Sequence, residues 1–204
     1  MVKTPPAKQA TTSVPLSEPV ASRWSPQAFS SRPLERDTIL RLLEAVRWAP
    51  SSRNLQPWSL IVTLRDQPSH PRLHACLSER NQRWAGVAPL LLLMVTATEN
   101  EPDKPNRMAY HDAGIAFGVL AVEASTQGLA VHPMGGFDKE RARDEFEIPA
   151  GLDPVIAIAV GYPGEPQDLP EEFRARETGP RTRKPLDEMV FTDRWGSPAP
   201  LVAG

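Results

Sequence analysis

Arg47-Trp48-Ala49-Pro50-Ser51-Ser52-Arg53-Asn54-Leu55-Gln56-Pro57-Trp58 joins an amphipathic helical pattern to an apolar run. Pro50 and Pro57 each remove a backbone donor and fix φ, so the residues between them read as a rigid, non-helical connector. Ser51, Ser52, Asn54 and the amide of Gln56 crowd hydrogen-bonding groups into that connector. A rigid polar loop is where a scaffold presents a ligand site, and the same composition also makes an ordinary turn.

Upstream of the loop, Ile39, Leu42, Leu43 and Val46 repeat at i, i+3, i+4 and i+7. The spacing predicts a helix over 35–48 with one apolar stripe, capped by Asp37 and stopped by Pro50. Downstream, residues 58–64 read as a strand and 71–79 as a short helix. Residues 90–96 form a continuous apolar run behind Pro89, the pattern of a strand covered on both faces. Residues 108–127 predict a long helix ended by Gly128. Gly114 and Gly118 share one of its faces at a cost of about 1 kcal/mol each against Ala, which makes sense where another backbone or a flat ligand comes close. A short strand, a helix over 138–146 capped by Asp138, and a second doubly covered strand over 154–162 follow.

The order of elements predicts an α+β fold with four core strands. Residues 1–20 are rich in Pro, Thr, Ser and Ala and bury too little surface to offset ordering entropy, so a disordered tail is expected. A single domain over 21–196 then ends in an extended arm, irregular from 165 onward, with a tail over 197–204.

Net charge is −2, which leaves no electrostatic footprint for nucleic acid. The single cysteine, Cys76, excludes an internal disulfide and a cysteine metal cluster, and reads as a small half-buried hydrophobe. The longest apolar stretch, 85–97, is too short to span a bilayer and is broken by Pro89. Residues 1–20 lack a signal-peptide core, so a cytoplasmic protein without a membrane partner is expected.

Several sites are missing from the sequence. No Gly-x-Gly-x-x-Gly follows a strand, no glycine-rich phosphate loop ends in Lys-Ser/Thr, and no Gly-x-Ser-x-Gly elbow occurs. His70 and His74 have helical metal-ligand spacing, but Pro71 and Arg72 depart from the zinc-protease signature, so a solvated helix face is expected and no metal. His111 and Asp112 are adjacent and read as a local cap or core hydrogen bond rather than an acid–base pair. Arg23, Arg181, Arg183 and Lys184 could hold a phosphate, and their spacing leaves convergence open.

Three segments together resemble the nitroreductase family of FMN-dependent oxidoreductases. Arg23-Trp24-Ser25-Pro26-Gln27-Ala28-Phe29 is similar to the family's Arg-x-Ser-x-Arg/Lys-x-Phe opening. Residues 49–58 are similar to its Ala-Pro-Ser-x-x-Asn-x-Gln-Pro-Trp. The third runs from Asp112-Ala113-Gly114 through Gly128-Leu129 to Pro133-Met134-Gly135-Gly136-Phe137 and closes on Val160-Gly161-Tyr162-Pro163. The resemblance covers about residues 22–196.

It implies a three-layer sandwich, a mostly antiparallel sheet flanked by helices, in an intertwined homodimer with two FMN molecules at the interface. Arg23 and Ser25 would hold the phosphate end, with Trp24 beside them. Pro50, Ser51, Ser52 and Asn54 would line the ring and ribityl chain, and Asn81 would bond the ring's polar edge. Gly135 and Gly136, following Pro133 and Met134, would present N–H groups near N5. Arg183, with Arg181 as alternate, would clamp the phosphate. NADH or NADPH would donate hydride to the flavin, which would pass it to a small-molecule acceptor such as a nitroaromatic or quinone by a ping-pong scheme. No catalytic acid or base is then required, because flavin N5 carries the chemistry. A flavin-fragmenting or dehalogenating enzyme on the same fold, or a non-catalytic flavin-binding protein, is the alternative. The chain departs from the family at Gln27, where many members carry Lys or Arg. A lower flavin potential or weaker FMN binding follows as an expectation, with Arg53 or Arg83 as candidate compensators.

Overall fold

The computed structural model describes residues 5–101 and 104–202. Its elements are α1 (Glu18–Ser22), α2 (Arg36–Arg47), β1 (Trp58–Leu64), α3 (Ser69–Cys76), α4 (Glu79–Ala85), β2 (Leu90–Ala97), β3 (Glu99–Glu101), β4 (Lys104–Pro105), α5 (Ala109–Thr126), β5 (Ala130–Met134), α6 (Lys139–Glu145), β6 (Leu152–Gly161) and α7 (Glu171–Thr178). Four strands make one antiparallel sheet in the order β1-β2-β6-β5.

The apolar run of β2 explains the layering. Successive side chains of a strand point to opposite faces. Leu90, Leu92 and Met94 pack with Ile39, Leu42 and Val46 of α2 and with Ala113, Ala116 and Leu120 of α5. Leu91, Leu93 and Val95 pack on the other face with Leu73, Trp84 and Phe173. Helices therefore cover both faces, and the three-layer α+β sandwich stands as anticipated. Truncating Leu92, which is fully enclosed, to Ala would cost about 2–5 kcal/mol.

Prolines sit where a sheet tolerates them. Pro133 lies on the edge strand β5. Pro154 pairs with Val95 at a register shift, the break in the β2–β6 ladder. α5 ends as Gly128 turns to φ 69 and the Leu129 N–H reaches the Ala124 carbonyl at 2.8 Å.

The structure differs from the sequence expectations at several places. Asp37 does not cap α2: Glu35 holds that position and Asp37 lies in the first turn, where its charge still complements the helix dipole. The helix expected over 71–79 is α3, which stops at Cys76, and α4, over 79–85, was not anticipated. The Ser78 N–H donates to the Gly136 carbonyl and Leu77 bridges Phe137, so tertiary pairing pulls the chain out of helix between α3 and α4. The arm contains α7, anchored by buried Phe173 and Glu177 one helical turn apart. Residues 5–20, placed in the expected disordered tail, fold back on the chain. Lys8 is buried, its Nζ donates to the Arg176 carbonyl at 2.7 Å, and the Ala10 N–H bonds the Ala21 carbonyl. Residues 1–4 of that tail lie outside the described residues.

His70 and His74 also depart from a solvated face. His70 is buried with Nε2 bonded to the Ala88 carbonyl at 3.0 Å, and His74 Nε2 bonds the Gln82 carbonyl at 2.9 Å. The two rings tie α3 to the chain beyond it. Cys76 is fully buried rather than half-buried, and its thiol donates to the Arg72 carbonyl. Among the described residues no helix is long and apolar enough to cross a membrane.

Candidate functional site

The loop between the two prolines is wound in a conformation that side chains resist. Arg53, Asn54 and Gln56 have φ of 53°, 57° and 47°. Left-handed backbone costs roughly 1–2 kcal/mol per non-glycine residue and persists only where the surroundings over-determine it. Here Ser51 Oγ accepts the Gln56 N–H at 3.0 Å, and Gln56 Nε2 donates to the Asn54 carbonyl at 3.0 Å. From α5, Asp112 Oδ2 accepts the Ser52 N–H at 3.1 Å, while Oδ1 lies 3.2 Å from His111 Nδ1. Asp112 is thus a core hydrogen-bond acceptor that fixes the loop from outside. The loop's own side chains remain at the surface, with Pro50 and Asn54 exposed and Ser51 and Ser52 half-buried.

The arginines that sequence spacing left apart converge. The Arg181 guanidinium donates to the carbonyls of Arg23 and Ala21. Burial, and then Arg183, press the Arg23 pKa below its usual range, and burial, Arg23 and Arg183 do the same to Arg181. None of the three pairs with a carboxylate among the described residues. Arg23 Nη1 also points at Ser25 Oγ, at a long 3.5 Å. Adjoining guanidiniums without a carboxylate partner have the chemistry to receive an anion. Arg181 spends its fork on backbone carbonyls, which makes it a scaffold for Arg23, while Arg183 is exposed and bonds the neighbouring Thr182 carbonyl. Trp24, half-buried, lies beneath the Lys8 ammonium at 4.7 Å.

A third group forms where β5 ends. Asn81 Nδ2 donates to the Gly136 carbonyl at 2.9 Å, so α4 and the Gly135–Gly136 turn are locked together. A Cβ on Gly136 would stand 3.0 Å from Ser78 Oγ and 3.1 Å from Asn81 Nδ2. A side chain there would make Ser78 and Asn81 give way by a few tenths of an ångström. At Gly135 a Cβ would meet nothing within 4 Å, so that backbone faces open space. Pro133 is half-buried, and Met134 packs in the core, so beyond packing it offers only backbone to this face.

Gln27 is nearly sealed at 3 % exposure, and its Oε1 is buried without a hydrogen-bond partner. A buried acceptor left unpaired costs about 1–3 kcal/mol, so this amide is set for a ligand donor or a water. Arg83 does not compensate for it, because Arg83 pairs with Glu172 at 2.6 Å. Arg53 is an exposed residue of the strained loop.

The first and second groups sit at opposite ends of α5. Asp112 holds the loop, and Ser125 Oγ lies 3.2 Å from Ser22 Oγ, beside Arg23. Thirteen residues of helix separate Asp112 and Ser125, a span of about 20 Å. Between them Gly114 and Gly118 are exposed, and a Cβ on either would meet nothing. Among the described residues nothing makes the close approach that the two glycines anticipate.

The family model described as the nitroreductase family matches residues 20–80 and 64–162. The chain belongs to the nitroreductase family. It is similar to a solved structure described as an oxidoreductase containing FMN, at 32% identity and a TM-score of 0.88, over 92% of this chain and 96% of that one. A nitroreductase family protein from Clostridium difficile 630 shares the fold at 24% identity and a TM-score of 0.70, over 89% of this chain and 99% of that one. An uncharacterized 15.4 kDa protein of Mycolicibacterium smegmatis is 40% identical over 61% of this chain and 83% of its own. A Streptomyces coelicolor protein, provisionally named NADH dehydrogenase/NAD(P)H nitroreductase, is 23% identical over 68% and 78%.

This nitroreductase-family chain also uses residues that its sequence does not advertise. Lys8 and Glu177 lie in segments without periodicity. His132, in the apolar run of β5, is buried with Nδ1 at 2.7 Å from the Pro26 carbonyl and its ring against Trp84 at 4.6 Å. Burial holds the His132 pKa down to about 4, so the ring is neutral and Nδ1 donates. It ties β5 to the segment that carries Arg23, Ser25 and Gln27.

Proposed function

We propose that the protein is an FMN-dependent oxidoreductase that takes hydride from NADH or NADPH and delivers it to electron-poor acceptors such as nitroaromatics or quinones. One observation carries the reading: Arg23, Arg181 and Arg183 adjoin without a carboxylate partner. Such a cluster calls for an anion, and FMN brings a phosphate. The strained polar loop and the open Gly135 backbone supply the other recognition groups the cofactor needs.

When bound, FMN supplies hydride chemistry at N5. The chain's part is to bind and orient. Arg23 and Arg183 hold the phosphate, with Ser25 adding a hydroxyl and Trp24 packing. Ser51, Ser52 and Asn54 offer hydroxyl and amide groups to the ribityl chain and ring, and Pro50 stiffens their loop. Asn81 keeps Gly135 and Gly136 in place so that their N–H groups face the ring. Gln27 presents a neutral amide to the ring's polar edge. Nicotinamide donor and acceptor take turns over the open face near Gly135, a ping-pong order.

The same reading includes a homodimer. A second copy laid antiparallel across Gly114 and Gly118 sets its own residues 51–56 near the arginine cluster of the first. The apolar surface supports this: Tyr110 and Val122 lie exposed on the glycine face of α5, and Trp48, at the end of the helix packed against it, is 72% exposed. Patches of that kind mark interaction surfaces.

Titrating FMN into purified protein tests the proposal. Quenching of flavin fluorescence at one FMN per chain is expected, with Arg23→Ala weakening binding at least about tenfold, as for loss of a charge-assisted contact. A protein that leaves FMN fluorescence unchanged contradicts it.

A further inference from the structure

Residues 23–28, which carry Arg23, Ser25 and Gln27, run with little regular structure between α1 and an isolated bridge from Phe29 to Pro163. Something other than a helix or sheet must fix them. Glu177 does so from α7, 150 residues away: Oε2 accepts the Gln27 N–H at 3.0 Å and Oε1 accepts the Ala28 N–H at 3.2 Å. Both oxygens of a buried carboxylate are thus spent on two consecutive backbone amides.

A buried carboxylate needs compensating charge as well as hydrogen bonds. Lys8 provides it. Its ammonium is enclosed at 5% exposure, donates to the Arg176 carbonyl, lies over the Trp24 ring and is attracted to Glu177. The segment that carries Lys8 is tied down in turn. The Lys8 N–H closes a turn onto the Pro5 carbonyl at 2.8 Å, and the Arg181 N–H bonds the Ala7 carbonyl at 3.2 Å. Arg181 then reaches the carbonyls of Ala21 and Arg23 with its guanidinium. The three contacts close a ring: the N-terminal turn, the α7–Arg181 segment, and residues 21–28.

We infer that Lys8 and Glu177 are positioning residues for the phosphate end of the flavin site, and that the proline-rich N-terminal segment is part of that site. This rests on the FMN reading above. Neither residue touches the cofactor. Their role is to hold the Arg23 guanidinium and the Gln27 amide in place before the ligand arrives, so that binding does not bear the cost of ordering them.

The test compares FMN with riboflavin, which lacks the phosphate, on full-length wild type, Lys8→Met, Glu177→Gln and the control Lys139→Met. Lys139 forms an exposed ion pair with Asp153 at 3.0 Å, away from this ring. Lys8→Met and Glu177→Gln are expected to weaken FMN about tenfold and riboflavin, which meets Gln27 but brings no phosphate to Arg23, clearly less. In flavin-free protein the amides of Gln27 and Ala28 should exchange hydrogen faster in both variants and unchanged in the control. Equal losses for FMN and riboflavin, including loss of all binding through misfolding, would make the contacts merely structural and overturn the inference. So would wild-type FMN affinity in both variants, or unaltered amide exchange. Wild type that binds neither flavin would instead sink the cofactor reading, a separate outcome.

Discussion

The carboxylate of Asp112, only 1% exposed, accepts the backbone N–H of Ser52 at 3.1 Å across sixty residues of sequence. That bond pins a loop with three left-handed residues to the first turn of α5. A strained loop and a buried charge each cost free energy, and here each satisfies the other. Asp112→Ala leaves the Ser52 N–H without its acceptor and opens a void, so unfolding free energy should fall by about 3 kcal/mol. Urea melts measure this. Asp112→Asn keeps an acceptor oxygen and should cost clearly less.

Gly118→Leu tests the assembly. The side chain meets nothing within the chain, and replacing glycine inside a helix gains roughly 0.5–1 kcal/mol of helix stability. The monomer should therefore fold, while light scattering shows the dimer lost and FMN binding lost with it. A dimer of unchanged stability would place the interface elsewhere.

Much of this was legible in the sequence because periodicity and burial agreed. The continuous apolar run of β2, the stripe of α2 and the Gly128 stop of α5 are local signals that tertiary packing reinforces. β1 runs over the predicted 58–64 for that reason. The misses share one cause. α3 stops short of 79 where Leu77 and Ser78 pair with the Phe137 and Gly136 turn, and no local signal carries that pairing. The fold of residues 5–20 depends on Lys8 finding Arg176 and Glu177 more than 160 residues later. Composition registers the prolines and not the buried lysine. At the site, motifs named Arg23, Asn81 and Gly136 but not their partners. Arg181 turned out to hold carbonyls, and Asn81 to hold Gly136.

Gln27→Lys tests the electrostatics of the flavin site. If Gln27 meets the ring's polar edge as proposed, its neutral amide leaves negative charge on a reduced ring uncompensated. A lysine should raise the flavin midpoint potential by about 30 mV or more, since 30 mV is about 1.4 kcal/mol for a two-electron couple. Spectroelectrochemistry on both proteins reads the difference, and equal potentials would contradict the assignment of Gln27 to the ring's polar edge.

His132 gives stability a pH dependence of known sign. Its folded pKa of about 4 lies below the unfolded value of 6.5. Below 6.5 the unfolded chain takes up a proton that the folded protein refuses, so stability is full at neutral pH and declines as pH falls through that window. Between neutral pH and about 4.5 wild type should lose about 2–3 kcal/mol more than His132→Asn. Parallel pH profiles for the two proteins would contradict the burial argument.

Anaerobic mixing of the FMN-loaded protein with NADH and with NADPH tests the central claim most directly. Bleaching of the flavin absorbance by at least one of them, followed by its return when a nitroaromatic or quinone is added, is the predicted result. Flavin that binds at one per chain yet stays oxidised with both donors would contradict the oxidoreductase and leave a binding protein in its place.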